Sequence, residues 1–177
     1  TLAGQSLEDQ LVEVSFGGDR SFAYSNINYH LLSLVLQRVY NKPLNEIFEE
    51  KLWQAMNLEQ AAIVNSTGYC CLFASARTWL ALGELFLHQG QYQGRQIVSA
   101  DWIQKMINEK QAPTLFMVQA TSKSRGNHYG YHIYSGLDDF PDYYWMEGMG
   151  LQLVMINPST ETIIVRLGDV PSIIEID

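Results

Sequence analysis

The strongest constraint on this chain is a change of period part-way along it. From Asn26 to about residue 110, apolar residues recur every three or four positions, which places them on one face of a helix. From Tyr129 onward they alternate instead, as in a strand with one face buried. Helices first and antiparallel strands second predict an α+β fold rather than alternating βαβ units. The organisation that follows is a loop or remnant of a preceding segment over 1–23, a helical region over 24–110, a loop over 111–128 and an antiparallel sheet portion over 129–177.

Helix signals punctuate the first part. Asn26 can cap a helix whose inner face is Ile27, Leu31, Leu34 and Val35, and Asn41-Lys42-Pro43 stops it. A second helix, with Leu44, Ile47, Phe48 and Leu52 on one side, starts after Pro43. Asn65-Ser66-Thr67-Gly68 reads as a turn-rich stretch. Ser75 then caps a helix bearing Trp79, Leu82, Gly83 and Phe86, which Gly90 ends. Ser99 caps another, with Asp101 in its first turn and Trp102, Met106 and Ile107 as its apolar residues. In the second part, Tyr129 to Tyr134 alternates as one strand, and the runs Leu151–Ile156 and Thr162–Leu167 form a hairpin across residues 157–161. The last of these strands leaves a sheet edge without an evident cover, so self-association is expected.

Charge and composition remove several function classes. Eleven Lys+Arg against 19 Asp+Glu give a formal net charge of −8, and no basic cluster is longer than a pair, so nucleic acid is excluded as a partner. No run of about 18 apolar residues occurs, so no membrane span is expected. Residues 1–16 lack the basic start and apolar run of a signal peptide, which leaves the compartment open between cytoplasm and periplasm. The only cysteines, Cys70 and Cys71, are adjacent; a bond between neighbours strains the intervening peptide, so two reduced thiols are expected. His128 and His132 on one strand lie about 13 Å apart, too far for one ion. His30 and His88 have no second ligand one helical turn away, so neither a metal nor another cofactor is expected. Asp138, Asp139 and Asp142 read as a solvated turn, and Tyr143, Tyr144 and Trp145 as core rather than pocket. Asn65-Ser66-Thr67 fits a glycosylation sequon, taken as a chance match.

A set of motifs in order along the chain carries more. Phe22-Ala23-Tyr24-Ser25-Asn26-Ile27-Asn28-Tyr29 precedes a helix and Lys42-Pro43, and Leu52-Trp53 follows. Next come Phe73-Ala74-Ser75-Ala76-Arg77-Thr78-Trp79, the turn Gly90–Gly94 and Ser99-Ala100-Asp101-Trp102-Ile103. Gly148-Met149-Gly150-Leu151-Gln152, Pro158 and Val165-Arg166-Leu167-Gly168 complete the series. Over about residues 20–169 this resembles the C-terminal portion of the serine β-lactamase-like, penicillin-binding-protein-like family, on the branch of class C β-lactamases, esterases and 6-aminohexanoate-dimer hydrolases. The resemblance implies part of a β-lactamase/transpeptidase-like fold. In that family a Ser-x-x-Lys supplies the nucleophile and its base, because serine needs a neighbour to take its proton.

Matched motif by motif, Tyr24 is implied as the phenol that shuttles the proton and Asn26 as the amide that orients lysine and substrate. Read alone, Tyr24 is equally a buried aromatic at a loop–helix junction, and Asn26 a helix cap. Glu147, Gly148 and Met149 stand at the third motif, with the Met149 N–H as one oxyanion donor. Two departures follow. The residues three before the five lysines are Val39, Phe48, Trp102, Ile107 and Ala120, so this chain contains no Ser-x-x-Lys. Met146-Glu147 replaces a cation and a hydroxyl, and a carboxylate there repels an anionic substrate. The expectation is a portion of a hydrolase acting on an amide or ester small molecule through an acyl-enzyme, completed by an N-terminal segment. The alternative is a catalytically inactive domain that binds a ligand or a protein.

Overall fold

A computed structural model describes residues 25–59, 61–109, 112–113, 128–137, 140–148, 150 and 152–168. They fall into two compact units, Thr1–Lys51 with Ala61–Phe73, and Leu52–Gln60 with Ala74–Asp177.

In the first unit, helix α1 (Asn26–Tyr40) has its cap one residue earlier than expected, at Ser25. Ser25 takes the extended cap conformation, φ −147° and ψ 129°, and its carbonyl accepts the Asn28 N–H at 3.2 Å. Asn26 is therefore the first helical residue, and the cap reading of it is corrected. The helix stops where Asn41 turns left-handed at φ 49°, a conformation that asparagine tolerates better than most residues. Its inner face differs in part from expectation: Ile27, Leu31 and Leu34 are half-buried. His30 and Ser33 are the buried residues, while Val35, expected inside, is 55% exposed beside Leu32, Leu36 and Val39. Ser33 survives inside because its hydroxyl donates to the His30 carbonyl at 2.7 Å, and the His30 ring packs edge-on to Tyr69 at 4.6 Å.

Helix α2 (Leu44–Phe48) buries Leu44 and Ile47 and runs into a π-helical turn, Glu49–Trp53. Lys42 and Lys51 both donate to the exposed Glu50 carboxylate, whose pKa they hold down to about 2. Strands β1 (Ala62–Thr67) and β2 (Cys70–Phe73) pair antiparallel in a stretch expected to be only a turn. Gly68 at their bend has no room for a side chain, since a Cβ would stand 2.2 Å from the Tyr29 carbonyl oxygen. Cys71 is disulfide-bonded, which corrects the expectation of two reduced thiols.

The second unit starts with the short helix α3 (Gln54–Met56), ended by left-handed Asn57. The π turn before it moves the buried position onto Trp53 and Met56, in place of the expected Leu52. Helix α4 (Ala76–Leu87) is capped as the sequence implies, Ser75 Oγ accepting the Thr78 N–H at 3.2 Å. Hairpin β3 (Gln91–Tyr92) and β4 (Arg95–Gln96) follows, and then helix α5 (Ala100–Asn108), whose cap Ser99 accepts the Trp102 N–H at 3.3 Å. Ile103 is the buried residue of α5, whereas Trp102 is 44% exposed.

The remaining strands, β5 (Ala112–Pro113), β6 (His128–Gly130), β7 (Ile133–Leu137), β8 (Phe140–Gly148), β9 (Gln152–Asn157) and β10 (Thr162–Arg166), form one antiparallel sheet. Its order is β10-β9-β8-β7-β6-β5, with β10 at one edge. The single strand expected across Tyr129–Tyr134 is instead a hairpin, because Tyr131 and His132 both adopt positive φ, 47° and 67°. Tyr131 is held in that turn by its ring against Trp102 at 5.5 Å and by its hydroxyl, which donates to Glu109 at 3.1 Å. Asp142 lies within β8 and accepts from the Ser159 hydroxyl, so it is not part of a free loop; Asp138 and Asp139 lie outside the described residues. The β9–β10 connection is an Asx turn, with Asn157 Oδ1 accepting the Ser159 and Thr160 N–H groups.

One face of the sheet buries Ile133, Tyr144, Val154 and Ile156 against Trp79, Phe86 and Leu87 of α4 and Met106 and Ile107 of α5. The other carries an aromatic ladder in which Tyr134 meets Tyr129 at 4.6 Å and Trp145 at 5.7 Å. Tyr144 and Trp145 are 3% and 2% exposed, which bears out the core reading of both. A third cluster, Met56, Ala81 and Leu85, fills in behind α4.

Helix α4 comes close to the sheet at Gly83, where a Cβ would meet Ile163 Cγ2 at 2.8 Å and Val154 Cγ1 at 3.2 Å. Alanine gains about 1 kcal/mol of helix propensity at such a site but overpacking costs about 1–3 kcal/mol. Gly83→Ala is expected to lower stability by about 1 kcal/mol in urea unfolding, and Gly83→Ala with Ile163→Ala to lose less than the sum of the single changes. A second expectation concerns His30, whose pKa burial pushes below its ordinary 6.5. The unfolded chain then binds the proton more readily than the folded one, so stability is lost as pH falls from about 6.5 through the lower folded pKa. Wild type should lose more stability than His30→Asn between about pH 7 and pH 5, measured by urea midpoint; equal losses would remove this role.

Candidate functional site

The residues expected at the third motif lie at the end of β8. Pairing of β8 with β9 sets Glu147 across from Leu153 and Gly148 across from Gln152, so both expected residues sit on the last two rungs of a ladder whose middle is core. Glu147 is half-buried and Gly148 exposed. A Cβ on Gly148 would come no nearer than 3.5 Å to Gln152 Cβ, an ordinary contact. Glycine therefore keeps this strand end low, without being forced by a clash.

Beyond Gly148 the chain must turn, and Gly150 makes the turn with φ 81°, a left-handed conformation that favours glycine. Two side chains converge on its carbonyl. Arg166 Nη1 donates to it at 3.3 Å from β10, and Gln152 Nε2 donates at 3.5 Å from the start of β9. The same Gln152 amide joins the segment after β10, because its Oε1 accepts the Gly168 N–H at 2.9 Å and its Nε2 donates to the Gly168 carbonyl. A primary amide presents one acceptor and donors in the same plane, as a peptide does. Gln152 thus continues the β9–β10 ladder past its last backbone pair, Arg166 with Leu153.

The other expected residues divide as follows. Asn26 is the exposed first residue of α1 in the first unit. Tyr24 and Met149 lie outside the described residues. Gln152 and Arg166 were visible in the sequence only as members of two short motifs, and no spacing rule singled them out; the signal was two glycines and an amide within five residues. Tyr144 is a phenol of the second unit. It is buried, burial raises its pKa above the ordinary 10, and its hydroxyl has no hydrogen-bond partner among the described residues. It remains neutral and suits neither a base nor a shuttle. Among the described residues no group of His, Cys, Asp and Glu could hold a metal ion, and no helix is long and apolar enough to cross a membrane.

No family model and no curated protein matches this chain. Solved structures do. A Bacillus anthracis protein assigned as a 6-aminohexanoate-dimer hydrolase is similar at TM-score 0.70 and 20% identity, over 90% of this chain and 42% of that one. A Bacteroides dorei DSM 17855 protein assigned as a β-lactamase is similar at TM-score 0.69 and 14% identity, over 92% of this chain and 56% of that one. This chain therefore spans about half of the structures it matches and carries, over that part, the β-lactamase-like fold.

Proposed function

We propose that this chain is the portion of a serine β-lactamase-like hydrolase that supplies the proton-shuttle loop and one wall of the substrate cleft. The reaction is cleavage of an amide or ester through an acyl-enzyme, with the nucleophile and its lysine contributed by sequence outside these 177 residues. Tyr24 would take the proton from the nucleophile and return it to the leaving group; Asn26 would orient the lysine and the substrate. The Met149 N–H, following Gly148, would donate to the oxyanion.

The observation that carries this reading is the turn at the end of β8. A strand end with an exposed glycine, Gly148, and a left-handed glycine two residues on, Gly150, turn the chain at the end of the sheet where the third motif was expected. Fold likeness to proteins assigned as hydrolases supports it. Glu147 refines the substrate. A half-buried carboxylate next to the donor rim opposes a substrate carboxylate and favours a neutral or amine-bearing one. The second reading, an inactive ligand- or protein-binding domain, draws on the absence of Ser-x-x-Lys from this sequence.

Two measurements on the full gene product test the proposal. Reaction with a fluorophosphonate probe is expected, and a neutral p-nitrophenyl ester should be hydrolysed faster than a chromogenic cephalosporin; the reverse order would remove Glu147 as a determinant. Tyr24→Phe should lower kcat by about 10²–10⁴-fold, the range for loss of a general acid–base group. Absence of probe labelling on a folded product would favour the binding-domain reading.

A further inference from the structure

We infer that the outer edge of β10 is an acceptor for one further β-strand, and that this strand comes from the part of the same gene product that lies outside these 177 residues. The inference needs only the fold likeness and not the hydrolase reading. Among the described residues the sheet ends at β10 on one side and at β5 on the other, and the two edges are built differently. Strand β5 is two residues long there and carries Pro113; a short strand with a proline offers little to pair with. Strand β10 runs Thr162-Ile163-Ile164-Val165-Arg166 in unbroken register with β9, with no proline and no bulge. Its one charged residue, Arg166, is engaged at the Gly150 carbonyl. The usual devices that keep other strands away from an edge are therefore missing from β10.

Both faces of β10 are apolar, which is the pattern of a strand inside a sheet. Ile163 and Val165 pack on the core around Val154, beneath α4. On the opposite face, the register places Tyr129, Tyr134, Trp145, Met155 and Ile164 side by side in one row from β6 to β10. Burial falls off along that row. Tyr129, Tyr134 and Trp145 are buried, Met155 is half-buried, and Ile164 is 46% exposed. A strand beside β10 would continue the row with a side chain about 5 Å from Ile164. It would also pair the N–H and C=O groups that β10 turns away from β9. The source follows from size, because this chain covers 42% and 56% of two solved structures with this fold, and the remainder of such a fold is available to complete the sheet. A second copy is a poorer occupant, since each copy brings a net charge of −8 from these residues.

The test uses the full gene product. Amides alternate along an antiparallel strand, one set donating to β9 and the other pointing away from it. In hydrogen exchange followed by NMR, both sets from Ile163 to Arg166 are expected to be protected, the outward set by about 100-fold or more relative to an unpaired edge. Fast exchange at every second amide overturns the inference. The occupant is identified by replacing Ile164 and, separately, Leu167 with the photo-cross-linker p-benzoylphenylalanine. A cross-link to a peptide outside residues 1–177, on a species that runs as a monomer in a denaturing gel, is expected. A cross-linked dimer, cross-links confined to residues 1–177, or none at either position overturns the assigned occupant. Ile164→Lys should shift the urea unfolding equilibrium toward the unfolded state by about 10-fold or more, because a charge would enter a covered row, and Ile164→Val by less. An Ile164→Lys midpoint equal to that of wild type overturns coverage of this face. Ester hydrolysis enters none of these readouts, so loss of the hydrolase reading leaves each of them unchanged.

Discussion

The close seat of α4 on the β9–β10 hairpin at Gly83 is the contact on which the second unit depends. Without a side chain there, Ile163 and Val154 reach the helix backbone, and Trp79, Phe86 and Leu87 come down on the core around Ile156. Packing of this density fixes more than stability. It locks the register of β9 against β8, and that register decides which residues arrive together at the strand ends. Because side chains alternate with a period of two, a slip by one residue would turn Val154 and Ile156 outward and separate Gly148 from Gln152. The candidate site is thus a consequence of a core contact at some distance along the same strands.

Helix α1 behaves differently, and its behaviour is informative. A helix normally hides its large apolar residues, yet this one buries His30 and Ser33 and leaves Leu32, Val35 and Val39 more than half exposed, at 57%, 55% and 72%. The buried polar residues are tolerated through a serine hydroxyl bonded to the preceding turn and an imidazole that burial keeps toward its neutral form. The amphipathic pattern was read correctly as a helix, and of its expected inner residues Ile27, Leu31 and Leu34 are half-buried while Val35 is exposed. Periodicity measures where apolar residues fall around an axis, and says nothing of which side the neighbouring elements occupy.

Much of the fold was legible from residues alone. Ser75 and Ser99 announce their helices because a hydroxyl in the cap position can take an orphan N–H, a local interaction that needs no tertiary context. Asn157-Pro158-Ser159 announces the last hairpin for the same kind of reason. The Tyr131-His132 turn was not legible, since two bulky residues at positive φ are unfavourable by themselves and are held by Trp102 and Glu109 from another element. The π turn at Glu49–Trp53 was equally invisible, and it moved the buried positions to Trp53 and Met56. Of the site, Glu147 and Gly148 were named only through the family resemblance, and strand β8, whose last residues they are, was not read from the sequence. Gln152 and Arg166 were not singled out, because their role comes from bonds between three segments.

The sequence by itself determined that helices dominate the first part of the chain and antiparallel strands the last, the serine caps at Ser75 and Ser99, the last hairpin and the acidic character of the chain. Each of these rests on interactions within a few residues, or on a sum over the whole chain. Tertiary structure alone decided which face of α1 is buried, that Tyr129 to Tyr134 bends into a hairpin, and that an amide and a guanidinium from separate strands share one glycine carbonyl. Those outcomes depend on distances between residues far apart in the chain, which are set only when the strands take their register and the helices pack upon them.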